Sequence, residues 1–250
     1  MCLLIYKLRK NNIYKVETEE SMSEKVNKLF SEVAEHYDLM NNLITFGMHS
    51  GWKKKLVELT NVSKDNSAID IATGTGDVAI LLQEKVGSNG RIVALDFNKE
   101  MLDKLKEKDT EQKYGLEIEL GDALSLKYDD NTFDASTISY GIRNVDDPLI
   151  CLKEMSRVVK PNGKVVILET GQPIGILSPL IKIYQKGIIP ILGKIIANQF
   201  KNYYYLPDTA SRFPSGDNFT KLMEKSESFS KITKIKLMFG VSYIYIGIVK

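Results

Sequence analysis

Residues 69–80, IDIATGTGDVAI, run from an apolar strand-like segment through two glycines into an apolar helix-like segment. That order is typical of a loop that holds a nucleotide-type cofactor. Gly74 and Gly76 would let the backbone approach the ligand closely, because neither residue carries a Cβ. The segment also satisfies the relaxed GxGxxA form of the dinucleotide fingerprint, with Asp96 about twenty residues further on, so a nicotinamide cofactor is one interpretation.

Asp70, at the predicted end of the strand, favours a different cofactor. A carboxylate suits a ligand that carries an ammonium group and a sulfonium better than it suits a pyrophosphate, because opposite charges attract. S-adenosylmethionine (SAM) carries both positive groups. Thr75 would offer its backbone amide and its hydroxyl to the methionine carboxylate, close to a helix N-terminus that favours anions. We therefore expect SAM rather than a nicotinamide cofactor.

Acidic and small residues at the ends of the next predicted strands are the further candidates for binding SAM. Asp96 ends the second strand and could accept hydrogen bonds from both ribose hydroxyls, although it could also cap the following helix. Asp122 follows the third strand and could accept from the adenine amino group, with the small Ala123 beside the ring, although it could also form a turn. Ser139 ends the fourth strand and is a further predicted cofactor contact. Ligands bind at the carboxyl ends of strands in open α/β sheets, so these residues would meet at one site.

The order of elements predicts the fold class. Apolar spacing predicts helices from about residue 19 to residue 60, and strands then alternate with helices up to a final hairpin that has one antiparallel strand. The predicted strands are SAIDIA, GRIVALDF, LEIELGDA, FDASTISY, KVVILE, ITKIKLMF and VSYIYIGIV. This pattern predicts an α/β, Rossmann-like fold with a doubly wound, mainly parallel seven-stranded sheet.

Composition limits the classes of function. The 250 residues carry 34 Lys+Arg against 32 Asp+Glu, a formal net charge of +2, which gives no general electrostatic reason to bind nucleic acid. Cys2 and Cys151 match no disulfide framework or metal-ligand spacing, which favours a reducing, cytoplasmic location. The run MCLLIYKLRK is too short for a secretory signal, and lysines interrupt the apolar stretch 175–200, so we predict neither export nor a membrane span.

Five segments together resemble the ubiquinone/menaquinone biosynthesis C-methyltransferase family: EHYDLMNNLITFGMHSGWKKK, AIDIATGTGDVAI, FDASTISYGIRNVDDP, LKEMSRVVKPNGKVVILE and YYYLPDTASRFP. The resemblance runs from about Asn27 to the C-terminus and includes YDxMN, GxHxxWK and GxRN, which SAM-dependent enzymes do not generally share. ILETGQP, YQKGIIPILGK and FGVSYIY are most similar to the demethylmenaquinone members. Tyr140 replaces a usual Phe, Asn162 a usual Gly, and Ser228 stands at a usual Gly-Phe pair; the first departure could alter the substrate pocket.

The resemblance implies a class I SAM-dependent methyltransferase that transfers a methyl group from SAM to a ring carbon of demethylmenaquinol. Residues 1–60 would form an N-terminal extension and helical cap, and residues 61–250 the methyltransferase domain. Within that domain, the insertion 171–206 after strand five would be a substrate lid. Its basic amphipathic segments, with Lys182, Lys186, Lys194 and Lys201, could lie on a membrane surface, or could simply cover the sheet. The expected partners are a polyprenyl quinol, a transient membrane contact and, by resemblance, a second copy in a homodimer.

The implied reaction needs a phenolate, because an ionised oxygen raises electron density on the ortho carbon. A free phenol ionises near pH ~10, so the site must favour the anion. Arg143 in the GxRN motif is the leading catalytic candidate, since its guanidinium could stabilise the phenolate or polarise a water that removes the proton. The family resemblance implies action through water. In the alternative interpretation, Arg143 pairs with Asp146 or Asp147 to hold the loop. No metal is required.

Candidate substrate contacts lie in the cap and beside Arg143: Tyr37, Asn41, His49, Tyr140 and Asn144. Tyr37 and Asn41 are one helical turn apart and share a face. His49 titrates in a useful range and could be a base, or could pack structurally beside Trp52.

Other functions remain open on the sequence alone. The acceptor could be a ubiquinol precursor or another phenolic lipid. A catalytically silent SAM-binding scaffold for other quinone enzymes is an alternative from a different class. Nucleic-acid methylation is least favoured, because the chain has neither a basic excess nor an NPPY-type tetrapeptide after strand four.

Overall fold

A computed structural model describes residues 22–110, 113–176, 178–188, 191 and 212–250. The first ten residues and most of the second half of the predicted insertion lie outside this part of the chain, and so do the lysines predicted there, Lys194 and Lys201. The side chains of Lys182 and Lys186 are likewise outside the description. None of the described helices is long and apolar enough to span a membrane.

Helices and strands alternate after an N-terminal group of three helices. These three helices, called the cap below, are α1 (Met22–Val33), α2 (Tyr37–Thr45) and α3 (Met48–Thr60). The strands are β1 (Ser67–Ile71), β2 (Arg91–Asp96), β3 (Glu117–Leu120), β4 (Phe133–Ser139), β5 (Val159–Thr170), β6 (Phe229–Leu237) and β7 (Ser242–Val249). The later helices are α4 (Asp77–Val86), α5 (Lys99–Lys108), α6 (Pro148–Arg157), α7 (Ser178–Ile183), which continues as a π-helical turn (Tyr184–Ile188), and α8 (Asp217–Lys225).

The seven strands form one sheet in the order β3-β2-β1-β4-β5-β7-β6. Strands β1 to β5 pair in parallel, whereas β7 runs antiparallel to both of its neighbours, β5 and β6. Successive side chains of a strand point to opposite faces, so each strand contributes side chains to a hydrophobic core on each face of the sheet. The doubly wound, mainly parallel fold and the final hairpin with its antiparallel strand are confirmed.

The two cores lie on opposite faces of the sheet. On one face, Ile69 of β1 packs with Leu152 of α6 and Phe219 of α8. On the other, Ala68 packs with apolar residues of the cap and of α4 and α5, among them Leu56, Leu82 and Leu105. Because both faces are covered, the central parallel strands are buried along almost their whole length.

Some boundaries differ from the prediction. The helical stretch predicted for residues 19–60 is broken by a 3-10 turn at Ala34–His36 and by a turn at residues 46–47, where Phe46 and Gly47 are left-handed. Strand β5 begins at Val159, before the predicted KVVILE. Its pairing with β4 is interrupted by a bulge that contains the left-handed Asn162. Helix α6 begins at Pro148 as predicted.

A network of charges, the cap clasp, joins the cap to the glycine loop. Its members are Asp38 on α2, Lys53 on α3, Thr75 in the loop, Asp77 on α4 and Lys108 on α5. Asp38 accepts from the Thr75 hydroxyl at 2.6 Å and pairs with Lys108 at 2.6 Å. Asp77 pairs with Lys53 at 2.7 Å and with Lys108 at 3.0 Å. Burial raises the pKa of Asp77, but the two lysines outweigh burial and lower that pKa to about 2. Asp77 therefore stays ionised at neutral pH, and the clasp holds α2 and α3 against the loop.

The two glycines of the loop have different surroundings. Both are left-handed, with φ +58 at Gly74 and +85 at Gly76. A Cβ at Gly76 would lie 2.1 Å from Cδ1 of Leu105, whereas a Cβ at Gly74 would meet nothing within 4 Å. The structure therefore shows a packing reason for Gly76, although the sequence suggested close approach to a ligand. Gly74 faces open space.

The Leu105 contact predicts unequal costs for substituting these glycines. Both Gly→Ala changes strain a left-handed backbone, but only Gly76→Ala forces a Cβ into α5. We expect Gly76→Ala to lose about 1–3 kcal/mol more free energy of unfolding than Gly74→Ala, measured by urea denaturation without ligand. In a Leu105→Ala background, which removes this contact, the two glycine substitutions should differ less in their cost. Equal losses for the two single variants would show that Leu105 simply moves aside.

Candidate active site

Two adjoining cavities open where β1, β2 and β4 end. The first, about 400 Å³, lies under the cap and is called the cap cavity; the second, about 230 Å³, lies along the ends of β2 and β3 and is called the strand-end cavity. Six of the described residues line both cavities: Phe30, Tyr37, Ala72, Gly74, Ser139 and Tyr140. A ligand could therefore extend from one cavity into the other.

The strand-end cavity contains several of the predicted cofactor residues. Asp96 is buried, and its two carboxylate oxygens accept from the backbone N–H groups of Gly74 at 2.7 Å and Asn98 at 2.9 Å. The cap of helix α5 is Asn98 rather than Asp96, because Asn98 Oδ1 accepts from the Met101 N–H. Burial raises the pKa of Asp96, and these backbone bonds only partly oppose it. A carboxylate so placed retains lone pairs for a ligand's hydroxyls.

Asp122 and Ala123 line the same cavity. Asp122 Oδ1 accepts from the Leu124 N–H at 2.8 Å, so the turn suggested as an alternative does form. The carboxylate has further acceptor capacity, and the two roles are compatible. Asn144, predicted from sequence as a substrate contact, also lines this cavity rather than the cap cavity.

Asp70 is the acidic group on the floor of the cap cavity. Its carboxylate accepts from the hydroxyls of Thr73 and Thr137, each at 2.6 Å. Burial raises the pKa of Asp70 to about 6, because the two hydroxyl bonds and the charge of Lys53 only partly compensate for lost hydration. A buried carboxylate of this kind gains strongly from a cationic ligand.

The loop after β4 carries most of the unsatisfied polar groups. In the part of the chain that the structure describes, four buried side-chain atoms have no hydrogen-bond partner, and three of them belong to residues 139–144: Ser139 Oγ, Arg143 Nε and Asn144 Oδ1. A buried polar atom without a partner costs about 1–3 kcal/mol. Concentration of these atoms beside both cavities indicates that a ligand or water supplies the missing partners.

Arg143 forms an ion pair that the sequence did not predict. Its Nη1 lies 2.6 Å from Glu169 Oε1, with the side chains only 6% and 1% exposed. Asp147 instead caps helix α6, where it accepts from the N–H groups of Leu149 and Ile150. The alternative in which Asp146 or Asp147 holds Arg143 is therefore corrected: the ion-pair partner is Glu169, at the end of β5.

Tyr140 shapes the loop around Arg143. Its backbone is left-handed, with φ 57, and its carbonyl accepts from Arg143 Nη1 at 2.6 Å. The Tyr140 hydroxyl lies 3.1 Å from Ser242 Oγ on β7. Burial raises the pKa of Tyr140, so the phenol stays protonated at neutral pH. The departure from the family's usual Phe thus adds a contact to β7.

The cap contributes Tyr37, Asn41 and His49 to the cap cavity. The hydroxyl of Thr45 donates to the Asn41 carbonyl at 2.7 Å, and His49 Nδ1 lies 2.8 Å from the Thr45 hydroxyl oxygen. Since that hydroxyl has one proton and already donates it, His49 Nδ1 must carry the proton, which leaves Nε2 as an acceptor. Burial, followed by the charge of Lys53, lowers the pKa of His49 and favours this neutral form.

Three partners at the site were not found from sequence: Glu169, Thr137 and Asp38. Glu169 had one usable signal, its place at the carboxyl end of a predicted strand. Thr137 and Asp38 carried none, because each acts on a residue 67 or 37 positions away.

Two curated relatives match almost over their whole lengths. A ubiquinone/menaquinone biosynthesis C-methyltransferase UbiE of Bdellovibrio bacteriovorus is 41% identical over 226 residues, which covers 90% of this chain and 96% of the relative. A demethylmenaquinone methyltransferase of Bacillus cereus is 39% identical over 232 residues, covering 92% and 97%. A family model described as the ubiE/COQ5 methyltransferase family matches residues 18–249.

The chain belongs to the ubiE/COQ5 methyltransferase family. A solved SAM-dependent methyltransferase of Thermotoga maritima, a possible histamine N-methyltransferase, superposes with a TM-score of 0.64 at 18% identity, covering 89% of this chain and 99% of that one. That likeness shows the class I methyltransferase fold. Family and fold together make the ubiE/COQ5 chain a SAM-dependent methyltransferase.

The described residues of this ubiE/COQ5 family member fit SAM. Open space at Gly74 gives a ligand room against the loop, and Ser139 Oγ is an orphaned buried hydroxyl beside it. Asp70 supplies an anionic acceptor in one cavity, and Asp96 and Asp122 supply acceptors in the other. These acceptors match a ligand with a cationic end and a hydroxyl-bearing end.

The raised pKa of Asp70 predicts a pH-dependent affinity for SAM. The folded protein holds this proton more tightly than the unfolded chain, whose pKa is 3.8, so Asp70 removes stability as the pH rises from there to about 6. The cationic ligand needs the ionised form. Calorimetric affinity should therefore rise with pH and level off above about pH 6. Below that plateau it should fall about tenfold per pH unit.

The matched control is Asp70→Asn, which should bind SAM weakly and lose this part of the pH dependence. An affinity that changes equally with pH in both proteins would assign the effect to another group, such as Asp96.

Proposed function

We propose that the protein methylates a ring carbon of demethylmenaquinol, with SAM as methyl donor. The observation that carries the proposal is the Arg143 guanidinium, buried in the wall of the cap cavity with its Nε unpartnered, next to the cavity lined by Asp96 and Asp122. A fixed cation at that place suits an acceptor that reacts as an oxyanion. The names of the two curated relatives support the quinol as that acceptor.

In this proposal the strand ends hold SAM. Asp96 would accept from the ribose hydroxyls, Asp122 from the adenine amino group, and Asp70 would face the ammonium group. Ser139 would supply a hydrogen bond between the two cavities. Bound SAM supplies an electrophilic methyl group on its sulfonium.

The remaining residues act on the quinol. Arg143 stabilises the phenolate oxygen, directly or through a water, and so raises the electron density of the neighbouring ring carbon. His49 lines the same cavity as Arg143, and its Nε2 would receive the hydroxyl proton. Tyr37 and Tyr140 border both cavities and would exclude water from the space between them when both ligands are bound. Alignment of two bound reactants contributes about 7–11 kcal/mol to such a reaction.

Loss of Arg143 tests this assignment. With methyl-labelled SAM and reduced demethylmenaquinone, mass spectrometry should find a labelled ring methyl, and Arg143→Ala should lower kcat about 10²–10³-fold. Affinity for S-adenosylhomocysteine should not change, because Arg143 acts on the acceptor. Arg91→Lys, at the opposite end of β2, is the control arginine.

Two results would contradict the proposal. A labelled quinone formed at the normal rate by Arg143→Ala would remove Arg143 from the mechanism. Tight binding of SAM by the wild type without any labelled quinone would favour another acceptor or the scaffold function.

We further propose that the rim of the cap cavity contacts a membrane surface, from which a polyprenyl quinol would enter. Phe46 is 75% exposed and Leu180 of α7 is 64% exposed, and both line the cavity; Phe239 in the β6–β7 turn is 55% exposed. Phe46 stacks on Tyr184 with ring centroids 5.7 Å apart, and the Tyr184 hydroxyl donates to the Ile44 carbonyl at 3.0 Å. These contacts join the start of the predicted lid to the cap. A cluster of exposed apolar side chains is typical of a membrane or protein contact.

A vesicle flotation assay tests the rim. The wild type should float with anionic vesicles, and Phe46→Ser combined with Phe239→Ser should weaken this binding, because two apolar side chains no longer enter the interface. Ile150→Ser, an exposed apolar residue of α6, is the control. Equal binding by all three proteins would rule the rim out as the contact.

A further inference from the structure

The side chain of Arg143 is held from the sheet, by Glu169, as well as from its own loop, by the Tyr140 carbonyl. Arg143 lies in a short 3-10 turn, Ile142–Asn144, where a long side chain has many rotamers. Glu169 lies near the end of β5, a strand paired on both sides, and its carboxylate is almost completely buried. The ion pair therefore fixes a long, flexible arginine side chain to a strand whose backbone is paired on both sides.

The contacts of Glu169 are all made by donors. Oε1 accepts from Arg143 Nη1 at 2.6 Å and from the Thr170 N–H and hydroxyl at 2.6 and 3.0 Å. Oε2 lies 3.4 Å from the Arg143 N–H. Glu169 thus binds both the backbone and the guanidinium of Arg143. Thr170 lines the cap cavity, but Glu169 is not among the residues that line it.

These contacts use one end of the guanidinium, Nη1, whereas Nε at the other end is buried without a partner among the described residues. Nη1 has two protons, and the Tyr140 carbonyl and Glu169 take both. Among the described residues, no hydrogen bond is made by Nε or Nη2, the two nitrogens whose N–H groups point in the same direction and form the bidentate edge. Glu169 and Tyr140 therefore determine which edge of Arg143 is available to an oxygen.

We propose that Glu169 is a positioning residue, which holds Arg143 by Nη1 so that its Nε–Nη2 edge receives the acceptor oxygen or the water bound to it. This inference rests on the proposed function of Arg143 and extends it to a residue outside the cavity. A merely structural role would instead consist of neutralising a buried arginine.

Two substitutions distinguish the effect of the position of the Glu169 carboxylate from the effect of its charge. Glu169→Gln keeps an acceptor oxygen but removes the negative charge that balances the guanidinium. The phenolate should then form at lower pH, and the acidic limb of the kcat–pH profile should shift to lower pH. Glu169→Asp keeps the charge but withdraws the carboxylate by one methylene, so kcat should fall about tenfold to a hundredfold without that movement. In both variants, the affinity for S-adenosylhomocysteine and the KM for the quinol should stay near the wild-type values. Glu154→Gln, which breaks the ion pair with Arg157 on α6, is the matched control.

The groups around Glu169 allow this profile to be interpreted. The charged neighbour is Arg143, and the titratable ones are Tyr140, Tyr245 and Tyr243, the cross-strand partner of Glu169 on β7. Burial raises the pKa of Tyr140 and of Tyr245, so neither of these two titrates near neutral pH. A shift of the acidic limb of the kcat–pH profile in Glu169→Gln then reports the ionisation of the acceptor hydroxyl.

A direct optical measurement separates this proposal from the proposed function. The absorbance of 1-naphthol bound with S-adenosylhomocysteine reports its ionisation; its apparent pKa should be lowered by the wild type, restored by Arg143→Ala and partly restored by Glu169→Asp, which keeps the charge but withdraws the carboxylate that holds the guanidinium. These shifts in a protein that fails to methylate demethylmenaquinol would support Glu169 while overturning the quinol as substrate. Normal methylation by the wild type, with an unchanged kcat in Glu169→Asp, would overturn the positioning role alone. Parallel loss of kcat and of S-adenosylhomocysteine affinity would reduce Glu169 to a structural residue.

Discussion

Parallel pairing of β1 with β2 and β4, and of β4 with β5, is the constraint on which the site depends. The register sets Ile71 beside Leu95 and Ser139 beside Leu168, so the four strands end nearly level. The residues just before or after those ends then lie at one edge of the sheet: Asp70, Asp96, Ser139 and Glu169. A parallel sheet needs helical crossovers, which cover its faces and leave this edge as the open place. The chemistry of the chain is gathered there for that reason.

Local patterns in the sequence predicted this edge well. Alternating elements identified the strands, and each strand end then pointed to its acidic or small residue, which is how Asp70, Asp96 and Asp122 were found. Such predictions succeed because a strand and the residue that follows it are continuous in sequence. The fold class and the antiparallel last strand followed from the same local patterns.

Contacts between distant segments were not predictable in this way. Asp147 was the nearer carboxylate to Arg143 in the chain, but the start of α6 uses it as a helix cap. Glu169, 26 residues away, becomes the partner only because β4 and β5 are neighbours in the sheet. Gly76 shows the same limit: the loop motif suggested a ligand, while the contact with Leu105 arises from the packing of α5. A single sequence does not reveal which of two chemically suitable partners the packing brings together.

The site is prepared by groups whose interactions are incomplete without a ligand. Asp70 is buried far enough to disfavour its charge, and the loop after β4 keeps a hydroxyl, an amide oxygen and a guanidinium nitrogen unpaired. The cap clasp has the opposite character, since its carboxylates are paired with lysines and hold α2 and α3 over the loop. The ion pairs of the clasp thus stabilise the position of the cap, whereas the polar atoms of the ligand site lack the hydrogen bonds that would stabilise it. In the proposed reaction, a cationic cofactor would satisfy Asp70 and an anionic acceptor would satisfy the polar atoms of the loop. Occupancy of the two cavities would then stabilise the loop between them.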